Sequence, residues 1–377
     1  MTKLIVMIPR IQQAIFTEKV AANKLVFLQG PRKVGKRTLI ETTFQSQSSN
    51  FQLFDCSQKK VRKVIEANSI SSQAPFIVLY EAQYLANLDS ILEQVLIGEI
   101  NATVVVSCSY VPKVQLELLE AIRMAGLEIN LFAPSFYEAA QHFGLPEENR
   151  LLEERLVYGN YPGVLADLPN AEQTLKEIIQ DAVFTKLSSA ERINKGEKLI
   201  RMLQVLAFSI GDAVSYNVVG ERCGLDNETV ERYIKLLEDA FLLYRLPSYY
   251  NGHRYELKKS NVIYFADNGV RNVLINNFNP TYMRNDMNEL WRNYVISERM
   301  KWLKMHQLAR PTYFWKTHTN QQMDFVEVME NGIFAYKTDW EKKKKVKLPK
   351  SFSEAYPEIK TSVLNRATYW KFLTQMK

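Results

Sequence analysis

The stretch Gly30-Pro31-Arg32-Lys33-Val34-Gly35-Lys36-Arg37-Thr38 decides how the N-terminal part of this chain is read. It follows an apolar run, Leu25-Val26-Phe27-Leu28, and precedes a helix-like stretch beginning Leu39-Ile40. Strand, glycine-bearing turn and helix, in that order, is the setting of the phosphate-binding loop G-x-x-x-x-G-K-[ST]. Its glycines let successive backbone N–H groups turn inward around a phosphate, and the helix N-terminus adds partial positive charge. Gly30, Pro31, Arg32, Lys33, Val34, Gly35, Lys36, Arg37 and Thr38 are the candidate phosphate contacts, with Lys36 reaching the outer phosphates. One position departs from the pattern. The hydroxyl that should hold Mg²⁺ after the lysine is replaced by Arg37, and the threonine comes one place late.

Working outward, residues 24–135 alternate strand and helix signals, the mark of a parallel sheet covered by helices. The strands are expected at Lys24–Leu28, Phe51–Phe54, Phe76–Leu79, Thr103–Ser107 and Leu127–Leu131. A second ATPase element should end one of them, with four apolar residues and then Asp-Glu. The Asp holds the Mg²⁺ shell and the Glu polarises the attacking water. The chain offers Phe76-Ile77-Val78-Leu79-Tyr80-Glu81, so Glu81 stands in the catalytic position and Tyr80 in the metal-binding one. Ser107, at the polar end of Val104-Val105-Val106, is a further phosphate contact by position. Arg37 and Tyr80 remove two ligands of one ion, so Mg²⁺ chemistry is expected to be impaired. Two readings of the loop stay open: nucleotide bound without metal, Arg37 supplying charge, or an empty structural loop with Arg37 in solvent.

The chain has 377 residues, 46% hydrophobic and 24% charged, room for several domains with their own cores. With 14 glycines and 13 prolines, low complexity is not expected. A net charge of +7 permits a polyanionic partner, and much of the excess lies in Lys342–Lys347, read as a solvated turn. Three widely spaced cysteines fit neither a disulfide framework nor zinc, and four histidines show no ligand spacing. No run approaches the ~20 apolar residues of a membrane helix. A cytoplasmic protein without a membrane partner is expected.

Beyond the parallel-sheet domain (1–150), a helical connector is expected over 151–210. In 211–284 two short helices broken at Gly224, capped by Ser215 and Asp226, precede a hairpin, Leu243–Leu246 with Asn261–Phe265. This is the outline of a winged helix. Its candidate DNA contacts are Arg232 and Lys235 on the second helix, and Arg254, Lys258 and Lys259 in the wing. Glu228 and Glu231 on the same helix would repel phosphates, so protein docking stands as the alternative to DNA contact. Residues 285–377 read as an α/β module with one long helix, three strands and two final helices.

Several segments together resemble prokaryotic AAA+-type P-loop ATPases with a C-terminal winged helix and a restriction-endonuclease-like domain. They are Ile8-Pro9-Arg10, Gly30–Lys36, Glu81-Ala82-Gln83-Tyr84-Leu85 and Pro134-Ser135-Phe136-Tyr137-Glu138. They continue with Tyr158-Gly159-Asn160-Tyr161-Pro162, Leu236–Leu242 and Tyr264-Phe265-Ala266-Asp267-Asn268-Gly269-Val270-Arg271. The resemblance implies ATP binding and a DNA-related, mobile-element or defence setting. It also implies nuclease ancestry at the C-terminus, where an Asp on one strand and Glu-x-Lys on the next would hold a divalent ion. Asp324 fits the first place, but Lys337-Thr338-Asp339 exchanges the charges of the second, and Glu298 is a further acidic candidate. A degenerate module is expected. The functional expectation is an ATP-binding protein that couples nucleotide state to DNA or a protein partner, with impaired hydrolysis. The alternative is a pseudo-ATPase scaffold.

Overall fold

Short apolar strands are buried on both faces when helices cover a parallel sheet, and the five runs between 24 and 135 become such strands. The computed structural model describes residues 8–46, 49–68, 70, 74–183, 196–250, 252, 256–257, 260–341 and 346–374. The chain packs as two compact units, Met7–Pro134 and, in the main, Ser135–Lys377.

The first unit runs α1 (Ile11–Ala22), β1 (Leu25–Gln29), α2 (Lys36–Ser46), β2 (Phe51–Asp55) and α3 (Lys59–Asn68). It continues β3 (Phe76–Tyr80), α4 (Leu88–Leu96), β4 (Thr103–Cys108), α5 (Leu116–Met124) and β5 (Glu128–Asn130). The strands pair in parallel in the order β2-β3-β4-β1-β5. Alternate residues Leu25, Phe27, Ile77, Leu79, Val104 and Val106 form one core with α4 and α5. On the opposite face Phe44 of α2 stacks on Phe51 and meets Phe76. β1, buried throughout, ends at the phosphate-loop sequence, so the loop leaves the carboxyl edge of the sheet, where open parallel sheets place ligands.

The second unit starts with α6 (Phe136–Phe143), whose cap is a reciprocal pair between Ser135 and Glu138. Then come α7 (Leu145–Arg150), α8 (Leu152–Tyr158), α9 (Pro162–Ala166), α10 (Ala171–Gln180) and α11 (Gly196–Phe208). β6 (Ala213–Val214), α12 (Tyr216–Cys223), α13 (Asn227–Asp239), β7 (Leu243–Pro247) and β8 (Asn261–Phe265) follow, the strands antiparallel in the order β6-β8-β7. Asp226 caps α13 through the N–H of Thr229 at 2.8 Å. Ser215 holds the N-cap place of α12, but its side chain makes no cap bond. Val230, Tyr233, Ile234 and Leu237 bury one stripe of α13, as their spacing predicts.

The chain continues through α14 (Asn268–Leu274) and α15 (Met287–Met305) to β9 (Thr312–Lys316), β10 (Gln322–Met329) and β11 (Gly332–Thr338). It ends with α16 (Lys350–Ala355), β12 (Lys360–Leu364) and α17 (Tyr369–Thr374). β12 pairs parallel to β11 and completes a sheet ordered β12-β11-β10-β9. Sequence reading misses β12 because this edge strand is mostly solvent-facing and lacks a regular apolar alternation.

Two of the quoted segments lock together here. Asp267 caps α14 through the N–H groups of Gly269 (2.8 Å) and Val270 (3.3 Å), and also accepts the N–H of Asn160 at 2.8 Å. Asn268 and Asn272 donate to the last carbonyls of α8, those of Leu156 and Val157. Glu298 of α15, also buried, accepts from the N–H of Phe136 at 2.7 Å and from Lys301 at 2.7 Å. Gly159 is essential to this contact, because a Cβ there would lie 1.9 Å from Asp267 Oδ1 at a backbone φ of +73°. Gly159→Ala should therefore destabilise the second unit by about 2–4 kcal/mol. Urea unfolding followed by tryptophan fluorescence should show a lower midpoint. An unchanged midpoint would mean that the interlock yields without cost.

Candidate functional site

A parallel sheet brings the ends of β1, β3 and β4 to one edge, and the phosphate-loop lysine and the candidate catalytic glutamate meet there. The loop turns through Lys33 at φ +61° and Gly35 at φ +100°. Gly30 comes so close to β5's extension that a Cβ would lie 1.8 Å from the Leu131 carbonyl oxygen. Lys36 is buried at the first turn of α2 and donates to the carbonyls of Gly30 (2.7 Å) and Pro31 (2.8 Å) and to Ser109 Oγ (3.0 Å). Burial, opposed by the charge of Glu81, lowers its pKa to about 8. Arg10 fixes the loop from outside, donating to the carbonyls of Val34 and Phe132.

Glu81 is buried at a left-handed φ of +56°, a conformation rarely taken by residues with a Cβ. Its carboxylate accepts from Ser109 Oγ at 2.6 Å, Gln83 Nε2 at 2.7 Å and Arg32 Nη1 at 3.2 Å. Gln83 also accepts the N–H of Ser109 at 3.2 Å. Lys36, Ser109, Glu81 and Arg32 thus form one hydrogen-bonded chain. By position Ser107 is the polar end of β4, but the hydroxyl in the site is that of Ser109. Ser107 Oγ is buried without a hydrogen-bond partner. Ser109 stands one residue past the strand and so carried no strand signal. Gln83 and Arg10 lay inside quoted segments without an assigned role.

The expected source of extra positive charge, Arg37, is exposed and pairs with Glu41 at 2.8 Å one turn along α2. Its guanidinium also lies over the Tyr80 ring, 5.9 Å from the centroid. The two residues that replace the Mg²⁺ ligands therefore meet each other. Burial pushes the Tyr80 phenol up to about 12, so it stays protonated at neutral pH and offers no anionic ligand. Thr38 is exposed. These residues do not fit a Mg²⁺ shell, and among the described residues no group of three or more His, Cys, Asp or Glu could hold a metal ion. The cation beside Lys36 is Arg32.

In the second unit the acidic candidates are dispersed. Asp324 on β10 is buried and meets Arg292 at 3.2 Å, Lys337 at 3.3 Å and the Thr338 N–H at 2.6 Å. Burial would raise its pKa, but Arg292, Lys337 and Thr338 outweigh that and hold it below the usual carboxylate value. Glu298 does not join it, being held by Phe136 and Lys301, and Asp339 accepts the N–H of Glu341. A register shift between Met323 and Val326 turns both of those residues into one apolar core. It leaves Asp324 and Glu327 to α15, where Arg299 meets Glu327 through two nitrogens at 2.9 Å, and Arg310 adds a bond at 2.8 Å. On α13, Arg232 and Lys235 are exposed; Lys235 pairs with Asp239 at 2.8 Å. Arg254, Lys258 and Lys259 lie outside the described residues.

Two family descriptions match the chain, "AAA domain" over residues 22–140 and "Domain of unknown function (DUF8612)" over 149–281. An uncharacterized protein of Haemophilus influenzae (strain ATCC 51907 / DSM 11121 / KW20 / Rd) is 25% identical over 248 residues, 62% of this chain and 62% of that protein. The chain therefore spans less than two thirds of this relative's length. The Walker-type ATPase PABY2304 of Pyrococcus abyssi superposes with a TM-score of 0.46 at 14% identity, covering 73% of this chain and 97% of that one. The first unit carries the AAA-domain match over residues 22–140 on a five-stranded parallel sheet, a likeness that suggests nucleotide binding. No helix among the described residues is long and apolar enough to cross a membrane.

The Lys36 pKa gives a pH test whose two parts run in opposite directions. Between about 8 and the ordinary 10.5, the unfolded chain keeps the proton that the folded lysine has lost. Lys36 therefore contributes least to stability below about pH 8, and its contribution grows up to 10.5. A phosphate needs the charged ammonium, so triphosphate affinity should fall above pH 8, by up to about tenfold per unit. Calorimetric titration from pH 7 to 9.5 should show this decline in the wild type and its absence in Lys36→Met. A flat wild-type profile would remove Lys36 from the phosphate contact.

Proposed function

We propose that the first unit binds a nucleoside triphosphate, ATP by resemblance, without a protein-held Mg²⁺ and with impaired hydrolysis. The observation that carries this reading is that Arg37 and Tyr80, which stand where a hydroxyl and a carboxylate ligand are expected, lie against each other, the guanidinium 5.9 Å from the ring centroid. The loop, Lys36, Arg32 and Ser109 remain to receive phosphates. Glu81 remains to orient water, but an unneutralised triphosphate resists attack, so turnover is slow.

The second unit then responds to nucleotide state by binding DNA or a protein partner. Two helices, α12 and α13, set between β6 and the β7–β8 hairpin of one antiparallel three-stranded sheet, support a winged helix over 211–284, with Arg232 and Lys235 as contacts. The mixed sheet and long helix over 285–377 support an endonuclease-like module that has lost its chemistry, because Lys337 takes the place of a carboxylate beside Asp324. The scaffold reading, with no nucleotide turnover, draws on the same Arg37–Tyr80 pair and on Glu228 and Glu231, which disfavour DNA on α13.

Thermal unfolding with ATP separates these readings. A ligand at a hundredfold excess over Kd stabilises by about 2.7 kcal/mol. The wild type should gain the same stability in Mg²⁺ as in EDTA, and Arg37→Thr with Tyr80→Asp should make the gain Mg²⁺-dependent and raise hydrolysis. A wild type that hydrolyses ATP at ~1 s⁻¹ or faster, with loss on Lys36→Ala, would sink the impaired-site reading.

Plasmid incubated with the protein and Mg²⁺ or Mn²⁺ should remain intact. Cleavage abolished by Asp324→Ala would prove the exchanged arrangement active.

A further inference from the structure

We propose that Arg32 is the residue by which this loop distinguishes a nucleoside triphosphate from a diphosphate, its guanidinium leaving Glu81 for the terminal phosphate. The inference rests on the nucleotide reading above and adds a specific partner exchange to it.

The geometry starts from Lys36, whose ammonium is satisfied by the Gly30 and Pro31 carbonyls and by Ser109 Oγ. A phosphate seated on Lys36 takes over some of those contacts. Ser109 passes directly to Glu81 Oε1 at 2.6 Å, and the other carboxylate oxygen meets Arg32 Nη1 at 3.2 Å. Lys36 and Arg32 are thus the two cationic ends of one short chain, and phosphates extending beyond Lys36 approach Arg32. The Arg32 side chain is 24% exposed, whereas that of Glu81 is 2% exposed, so an incoming anion reaches the arginine first.

Arg32 Nη1 meets Glu81 at 3.2 Å, and a terminal phosphate offers the planar guanidinium fork two oxygens at once. Glu81 is not left bare, since Ser109 and Gln83 still donate to it at 2.6 and 2.7 Å. Position 80 offers no carboxylate and position 37 no hydroxyl, and Arg32 is near enough to Lys36 to lower its pKa further, beyond the larger effect of burial. It therefore stands where a metal-free triphosphate most needs charge. A diphosphate ends short of it and leaves the Arg32–Glu81 pair intact.

Calorimetry in EDTA with the βγ-imido analogue of ATP and with ADP tests this. The wild type should prefer the triphosphate. Arg32→Gln should cut that preference roughly tenfold or more while changing ADP affinity by less than about threefold. Arg32→Lys, which keeps the charge, should restore part of the preference. Glu81→Gln weakens the internal competitor and should tighten the triphosphate by about threefold or more, but not ADP. The double variant Arg32→Gln with Glu81→Gln leaves no buried carboxylate without its arginine, so its preference should match Arg32→Gln even if the single variant folds poorly. Equal weakening of both nucleotides by Arg32→Gln, or weaker triphosphate binding by Glu81→Gln, would overturn the exchange alone. A wild type that binds neither nucleotide would overturn the nucleotide reading and this inference with it.

Discussion

The carboxylate of Glu81, buried between Arg32, Gln83 and Ser109, organises the first unit's site. A charge removed from water must be met by opposite charge or by hydrogen bonds, or the group neutralises. Here the compensation comes from three separate places in the sequence: the loop after β1, the turn after β3 and the residue after β4. Only a parallel sheet with its carboxyl ends at one edge can bring them together. The same network sets the state of Lys36, whose lowered pKa reflects deep burial that Glu81 only partly offsets.

Charge compensation also explains why the second unit, for all its buried carboxylates, presents no metal centre among its described residues. Seven residues along a helix rise about 10.5 Å, and three along a strand about 10 Å. Arg292 and Arg299 on α15 therefore match Asp324 and Glu327 on β10, and the register shift between Met323 and Val326 lets that odd spacing work. Both carboxylates on that face of β10, Asp324 and Glu327, are already held by an arginine. Glu298 serves a different end, satisfying the first free N–H of α6 beside Lys301.

The quoted segments of the second unit turn out to be load paths between helices. Tyr158–Pro162 supplies a glycine with no room for a Cβ and an N–H for Asp267, and Tyr264–Arg271 supplies that aspartate. Arg271 adds a bond to the Ala207 carbonyl at 2.9 Å and an ion pair with Asp286. The polar residues of these segments join α8, α11 and α14.

The sequence by itself determined the parallel-sheet class, the position of the phosphate loop, most strands to within a residue or two, and the chemical mismatch at 37 and 80. Those features follow from local periodicity, turn chemistry and residue type, which act over a few neighbouring positions. What the tertiary structure alone decided is who meets whom. It placed Arg37 against Tyr80 and Glu41, chose Ser109 over Ser107, and put Arg32 on Glu81. It also took Glu298 away from Asp324 and added β12 to the sheet edge. These outcomes depend on side chains from distant segments competing for the same buried charges, and spacing along the chain carries no information about that competition.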